Sequence, residues 1–319
     1  MSSPLHLFRH AVPFTGYPYR GEGMACNLCG GAEALTVAET DRRLKRLRSV
    51  ACTGCGLIRT DPMPTAAELE AYYASAYRAA YQFALGRRPP RHHLNRSRRE
   101  AAFRAELLAP ALRPGARVLD FGSGSGEFLA AARARGCAVT GVEPGRSYAT
   151  YARAEHGARV LDRLDALPAD EVFDVVTVHH VLEHLRDPVD TLARLADRLA
   201  PEGVLYAAVP NMAATGKPPH ERFHFAHVHG FVRDTLDRAA RRAGLTPDPG
   251  YWREDTTAVY RRSAAPVQAE PGPAGPGLAR ELAAALAPVR PGAYLASGAW
   301  LGPMVRRNAK AIRDTFASR

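Results

Sequence analysis

Three groups of residues have the types and spacing to do chemistry. Cys26-Asn-Leu-Cys29-Gly30 and Cys52-Thr-Gly-Cys55-Gly56 are two C-x-x-C knuckles separated by 22 residues. Four thiolates so spaced fit tetrahedral Zn²⁺, and the glycine after each second cysteine permits the tight knuckle turn. No open coordination position is evident, so the expected role of the metal is to staple a ribbon too small to fold alone. A redox dithiol is the weaker option, because no thioredoxin-like unit surrounds either pair. The second group is Val118-Leu-Asp-Phe-Gly-Ser-Gly-Ser-Gly-Glu-Phe-Leu129, an apolar strand that runs into Gly122, Gly124 and Gly126 and then into a helix. Bare backbone beside a helix N-terminus invites a ligand. The dinucleotide fingerprint is G-x-G-x-x-G; the spacing here is G-x-G-x-G, preceded by the acid Asp120. The third group is His220, His224, His227 and His229, four imidazoles within ten residues. These are candidate general bases near neutral pH, with His180 and His184 as further candidates, or alternatively metal ligands, although no carboxylate cluster accompanies them in the chain.

The elements that must hold these groups can be read from periodicity. Leu35 to Val50, between the knuckles, alternates as short ribbon strands, and Asp61-Pro-Met-Pro64 stops them. Thr65 with Glu68 forms a capping box for a helix from Ala66 to about Tyr73. Tyr72, Tyr73, Tyr77 and Tyr81 then make either an aromatic packing stripe or, at Tyr77 and Tyr81, hydroxyls facing an acceptor pocket. Gly86 to Arg99 is basic, a solvated face or a phosphate contact, and leads into a helix over Leu94 to Leu108. From Ala111 to Arg262 strands and helices alternate, the pattern of an α/β domain with a mainly parallel sheet. Strands are expected at 117–120, 137–142, 158–161, 173–178, 203–209, 251–253 and 257–261. Glu143, at the tip of the second, is placed to accept from a ribose diol. Ala264 to Gly277 reads as a Pro/Gly linker, Leu278 to Ala287 as a helix, and Tyr294 to Arg313 as a basic amphipathic tail that docks on its own core or touches anionic lipid. The expected organisation is an N-terminal segment and ribbon (1–64), a helical, basic connector (65–110), the α/β domain (111–262), the linker (263–277) and the tail (278–319).

At 319 residues the chain can bury a sizeable core. Its five cysteines, the absence of a bilayer-length apolar run and of a leader pattern lead us to expect a soluble, cytoplasmic protein, or one peripheral to the inner membrane face through the tail. Lys plus Arg number 43 against 32 Asp plus Glu, a net charge of +11 that favours anionic partners or reflects a GC-rich genome. Nucleic acid ranks low, because the basic run Arg42, Arg43, Lys45, Arg46 and Arg48 lacks interleaved aromatics to stack bases. Cys137 reads as a small buried hydrophobe.

Taken together, Val118-Leu-Asp-Phe-Gly-Ser-Gly-Ser-Gly, Val142-Glu-Pro, Phe173-Asp-Val-Val and Val181-Leu-Glu-His184 resemble the class I S-adenosylmethionine-dependent methyltransferases over 111–261. With the four-cysteine ribbon the likeness extends to roughly 24–261, toward the subgroup acting on sugars and secondary metabolites. The resemblance implies a doubly wound, seven-stranded sheet with a reversed final hairpin, S-adenosylmethionine as cofactor and structural Zn²⁺. It places Asp120 and the glycine turn at the methionine amino end, Glu143 on the ribose, the backbone of Asp162 to Leu164 at the adenine, and His179 along the methionine. Glu183 and His184 are given a structural role. In the deoxysugar C-methyltransferases of the subgroup a His-Glu-His-Leu segment carries a Glu-His pair; here the His falls on His227 and the Glu on Ala226. Because carbon deprotonation needs a well supported base, the pattern favours O-methylation with His227, and His224 beside it, as the basic residues. The expected acceptor is a hydroxyl of a sugar, polysaccharide or glycolipid precursor, free or carrier-linked. The alternatives are a natural-product or quinone-like acceptor, or an RNA-binding methyltransferase or adaptor. The oligomeric state stays open.

Overall fold

A computed structural model describes residues 10, 12–75, 89–214, 219–263, 275–286 and positions 296, 298, 301, 302 and 305. Tyr77, Tyr81 and most of the predicted linker and amphipathic tail lie outside the described residues. In chain order the regular elements are β1 (Ala34–Thr40), β2 (Arg46–Cys52), β3 (Ile58–Thr60), α1 (Ala66–Ser75), α2 (Arg91–Leu107), β4 (Arg117–Phe121), α3 (Glu127–Arg133) and β5 (Ala138–Val142). They continue with α4 (Arg146–His156), β6 (Arg159–Leu161), β7 (Phe173–His179), α5 (Pro188–Ala196), β8 (Leu199–Ala208), β9 (His229–Gly230), α6 (Arg233–Arg242), β10 (Leu245–Pro247), β11 (Thr257–Arg262) and α7 (Gly275–Ala285).

Val118, Leu119, Val175, Val176 and Val178 are fully buried, as expected of strands covered on both faces by helices. They belong to a seven-stranded sheet of order β10-β11-β8-β7-β4-β5-β6. The strands from β6 to β8 run parallel, and β11 is antiparallel to both β8 and β10. This is the doubly wound sheet with a reversed hairpin that the sequence implies. The chain reverses its order of placement between β4 and β7, so the glycine turn after β4 and the Val181–His184 turn after β7 open into one crevice.

Two expectations need correction. The penultimate strand is Leu245–Pro247, not 251–253. Leu245 is buried and pairs with Arg262, whereas Asp248 closes a turn on the Gly250 amide and leaves Trp252 half exposed. The second difference is β9, which had no periodic signal because it is two residues long. It pairs with β3, completing a four-stranded sheet β1-β2-β3-β9. The N-terminal ribbon therefore takes its fourth strand from the segment carrying the histidines. Cys26, Leu28, Cys52, Cys55 and Leu57 share a core with Val176, Leu182 and Phe231, and Ala279, Leu282 and Leu286 of the C-terminal helical region pack with Val37, Ala51 and Ile58. α2 begins at Arg91, three residues earlier than its periodicity implies, because Pro90 pre-sets the first turn.

Candidate active site

The candidate donor side is the turn after β4. Gly122 has φ +78°, and a Cβ there would lie 2.3 Å from Val181 Cγ2; Gly126 has φ +82°, and its Cβ would meet Ala152 Cβ at 2.8 Å. Both glycines permit close packing. Gly124 differs: φ is +53° and nothing lies within 4 Å of a Cβ, so its bareness faces open space that a ligand can fill. Glu143 closes over it, with Oε2 accepting from the Gly124 amide at 3.0 Å and Oε1 from the Gly145 amide at 2.7 Å. A carboxylate has about four acceptor directions, which leaves the chemistry of a diol contact intact.

Asp120 is fully buried, its Oδ1 accepting from Thr177 Oγ1 at 2.6 Å and from Arg104 Nη1 at 3.2 Å. Burial raises its pKa against the opposing pull of Arg104 and Thr177. Its Oδ2 and Arg104 Nε are buried without a hydrogen-bond partner among the described residues, an arrangement that fits a missing polar ligand with its own amino and carboxylate groups. His179 Nδ1 lies 3.2 Å from the Tyr206 hydroxyl and its Nε2 3.7 Å from Glu100. Burial lowers His179 to about 4, so it is neutral at pH 7. Glu100 sits at about 2: burial opposes ionisation, but bonds from His179 and Arg96 outweigh it. Asp162 is exposed and the Leu164 side chain turns into the core, so only their backbone is available to a base.

The candidate acceptor side begins where Val181 packs on Gly122. It leads directly into the 3₁₀ turn Leu182–His184. Glu183 is 2% exposed, and neither carboxylate oxygen has a hydrogen-bond partner among the described residues. Around its Oε1 stand His180 Nδ1 at 3.4 Å, His227 Nε2 at 3.8 Å and His184 Nε2 at 3.9 Å. Burial alone would raise Glu183, but the imidazoles hold it near 2. His184 Nδ1 lies 2.8 Å from both the Tyr73 hydroxyl and the Ala226 carbonyl, and Tyr73 also donates to that carbonyl at 3.1 Å. The His224 and His227 rings are 3.6 Å apart, and burial pushes both well below 6.5. Two neutral imidazoles therefore stand beside a buried carboxylate, an arrangement able to take a proton and stabilise the resulting imidazolium. The ligand atoms of Glu183, His184 and His227 also lie within 4.8 Å of one another, close enough to share a cation.

The structure thus brings His180, His184, His224 and His227 together. His229 leaves the group: its Nδ1 donates to the Leu185 carbonyl at 2.9 Å, and its Nε2 is 3.1 Å from Asn27 Oδ1 in the ribbon. The side chain of His220 and all of Tyr77 lie outside the described residues. Glu183, read from the sequence as structural, is the carboxylate that stands beside His227, its Oε1 3.8 Å from Nε2. It comes from 44 residues upstream, so no local motif could reveal the pair. Arg104, Glu100 and Tyr73 were likewise missed; the tyrosine stripe was the one available signal, and Tyr73 is the member that reaches the histidines.

The four knuckle cysteines also converge. Cys26 and Cys55 Sγ are 3.5 Å apart, Cys29 and Cys52 Sγ 3.4 Å, and all four lie within 4.8 Å of one another without a disulfide. Hydrogen bonding to Cys52 pushes Cys26 up to about 12, and Cys55 is likewise raised, whereas Cys52 is lowered by its neighbours. One thiolate is thus supported and further ones need a cation, which fits tetrahedral Zn²⁺ with S ligands.

Residues 91–248 match the family described as a methyltransferase domain. This stretch is a class I S-adenosylmethionine-dependent methyltransferase domain. Curated relatives include the ubiquinone biosynthesis O-methyltransferase of Xanthomonas axonopodis pv. citri, 33% identical over 153 residues, 45% of this chain and 61% of the relative. The enzyme of the same name from Cereibacter sphaeroides is 29% identical over 187 residues, 51% of this chain and 76% of the relative. This chain spans 45 to 61% of the length of the first three such relatives. Among solved structures, CalS10, an amino pentose methyltransferase from Micromonospora echinaspora, aligns with 21% identity and a TM-score of 0.43 over 51% of this chain and 90% of that one. CcbJ from Streptomyces caelestis aligns with 21% identity and a TM-score of 0.42 over 60% and 98%. Among the described residues, no helix is long and apolar enough to cross a membrane.

Proposed function

We propose that the chain transfers a methyl group from S-adenosylmethionine to a hydroxyl of a small-molecule or carrier-linked acceptor, with His227 as general base. The observation that carries this reading is the position of Glu183: a buried carboxylate ringed by imidazoles, joined to the donor turn through the Val181–Gly122 contact. The cofactor supplies an electrophilic methyl, so the protein's work is to orient the acceptor and remove its proton. His227 Nε2 faces Glu183, which leaves Nδ1 to take the hydroxyl proton while the carboxylate stabilises the imidazolium. Tyr73 and Ala226 fix His184 beside them. On the donor side, Gly124 and Glu143 suit the nucleoside, and Asp120 with Arg104 suits the amino acid end. Zn²⁺ on Cys26, Cys29, Cys52 and Cys55 would hold the ribbon.

The sequence argument against carbon methylation lapses, because Glu183 replaces the carboxylate missing at position 226. The preference for oxygen rests on the curated O-methyltransferase relatives. A glycosyl or anionic acceptor follows from the ribbon subgroup; a phenolic, quinol-like hydroxyl is the second reading, favoured by the names of those relatives. Incubating the purified protein with cell extract and S-(methyl-d3)-adenosylmethionine, then following the label by mass spectrometry and NMR, tests all of these. A d3-methoxy product supports the function and names the acceptor. Label on carbon or nitrogen, or no cofactor binding by calorimetry, overturns it.

A further inference from the structure

The ribbon is bonded to the histidine segment near both of its ends, at Phe223 and at Val228–Gly230. The Arg42 amide donates to the Phe223 carbonyl at 3.0 Å and the Thr60 amide to the Val228 carbonyl at 2.9 Å, and β3 pairs Arg59 with His229 and Ile58 with Gly230. These are main-chain bonds, set by the ribbon's own conformation. One side-chain link adds direction to them. His229 is 1% exposed and sits between two fixed points: the Leu185 carbonyl, one residue past the Glu183–His184 turn, and Asn27, which follows Cys26 in the first knuckle. A carbonyl only accepts, so Nδ1 carries the proton toward Leu185. Asn27 Oδ1 stands 3.1 Å from Nε2; a neutral Nε2 is itself an acceptor, so this contact becomes a hydrogen bond with the Asn27 amide turned to present its Nδ2–H. Arg242 of α6 reaches the Leu28 carbonyl in the same knuckle.

We infer that Asn27 is a positioning residue: through His229 it holds the segment bearing His227 at its working distance from Glu183, so the metal-stapled knuckle is one wall of the acceptor site and not a detached staple. The inference rests on the proposed function for its catalytic consequence, though not for its physical content. His227 lies two residues from His229, and an imidazole displaced by about 1 Å from a productive geometry loses on the order of 100-fold in rate. The donor side shares none of these bonds, since Gly122, Gly124, Glu143 and Asp120 are held by β4, β5, β7 and α2. Loosening the knuckle therefore separates acceptor chemistry from cofactor binding.

The test compares zinc-loaded wild type with Asn27→Ala, and with Thr53→Ala as a control that removes a ribbon hydrogen bond, Thr53 Oγ1 to the Glu33 carbonyl, that does not involve His229. Hydrogen exchange of the peptide spanning 223–230, metal content and S-adenosylmethionine affinity by calorimetry are read on each. Asn27→Ala should keep its zinc and bind the cofactor within about twofold of wild type, yet exchange the amides of 228–230 at least tenfold faster; Thr53→Ala should leave them unchanged. kcat of Asn27→Ala should fall 10- to 100-fold with KM for the cofactor unmoved. Unaltered exchange at 228–230 in Asn27→Ala, or an equal effect in Thr53→Ala, overturns the inference. Faster exchange in a protein that methylates nothing would leave the link standing and refute the proposed function instead.

Discussion

Replacing Glu183 by Gln removes one charge and almost no volume from the centre of the histidine cluster. In the native protein the carboxylate lies 3.8 Å from His227 Nε2 in a site with 2% exposure. A unit charge at that distance is worth about 4 kcal/mol at an effective dielectric of about 20, or up to about three pKa units of imidazolium stabilisation. Proton transfer is only partly complete in the transition state, so roughly half of this, about 2 kcal/mol, reaches the barrier and gives about a 30-fold loss. Complete loss of base function, about 10²- to 10⁴-fold, sets the outer limit. Stopped-time assays of labelled methyl transfer at saturating donor and acceptor should therefore show kcat down about 30- to 1000-fold in Glu183→Gln. Calorimetric affinity for S-adenosylmethionine should stay within about twofold, because no donor-side hydrogen bond uses Glu183. The pH profile should move too: the base of the variant titrates lower, extending the basic plateau toward acid at a reduced height. A variant that keeps kcat within about threefold would show that Glu183 is structural and refute the assignment, as would one that loses cofactor affinity in proportion to rate.

Other outcomes follow from the same geometry. His227→Gln should lower kcat by about 10² to 10⁴-fold and spare cofactor affinity, measured by the same assay and calorimetry. Gly122→Ala forces a Cβ to 2.3 Å from Val181 at φ +78°, so it should lower the thermal midpoint and cofactor binding together. Gly124→Ala meets nothing within 4 Å, so its cost should be the left-handed strain of about 1–2 kcal/mol, with a larger loss of S-adenosylmethionine affinity on top. Burial depresses His229 from 6.5 to about 4. Its contribution is therefore fully present above pH 6.5 and is lost as pH falls toward 4, by roughly 2 kcal/mol at pH 5. Urea midpoints at pH 7.5 and 5.0 should show the fall, to which His179, His224 and His227 add, and His229→Gln should reduce it by about 2 kcal/mol.

The sheet was legible because its strands are buried on both faces and read as unbroken apolar runs: Val118 to Asp120 and Phe173 to Val178 announce themselves by composition. The geometry of the proposed donor side was legible for a related reason. Gly122, Gly124, Gly126 and Glu143 sit on one turn and the neighbouring strand tip, so the topology of adjacent parallel strands carries sequence spacing into space. Asp120 shows where this stops. Its place at the strand end could be read, but its Oδ1 contact with Arg104 depends on how α2 crosses the sheet, which no spacing encodes.

The acceptor side was opaque because it is assembled from segments with no shared period. Glu183 follows β7, His227 follows β8, Tyr73 belongs to a helix outside the methyltransferase domain, and Asn27 lies in the ribbon. Alignment of a local motif placed the missing carboxylate at Ala226, where a glutamate side chain would have to fit a fully buried position whose carbonyl already holds Tyr73 and His184. The fold brings a carboxylate to His227 from the turn after β7 instead. Substituting Ala226→Glu to restore the motif should therefore not improve catalysis: it adds a second buried carboxylate within the cluster that Glu183 already serves, and either overpacking or like-charge repulsion must destabilise the segment. A gain in rate from Ala226→Glu, or rescue of Glu183→Gln by it at wild-type stability, would mean that the pair belongs to the local motif after all.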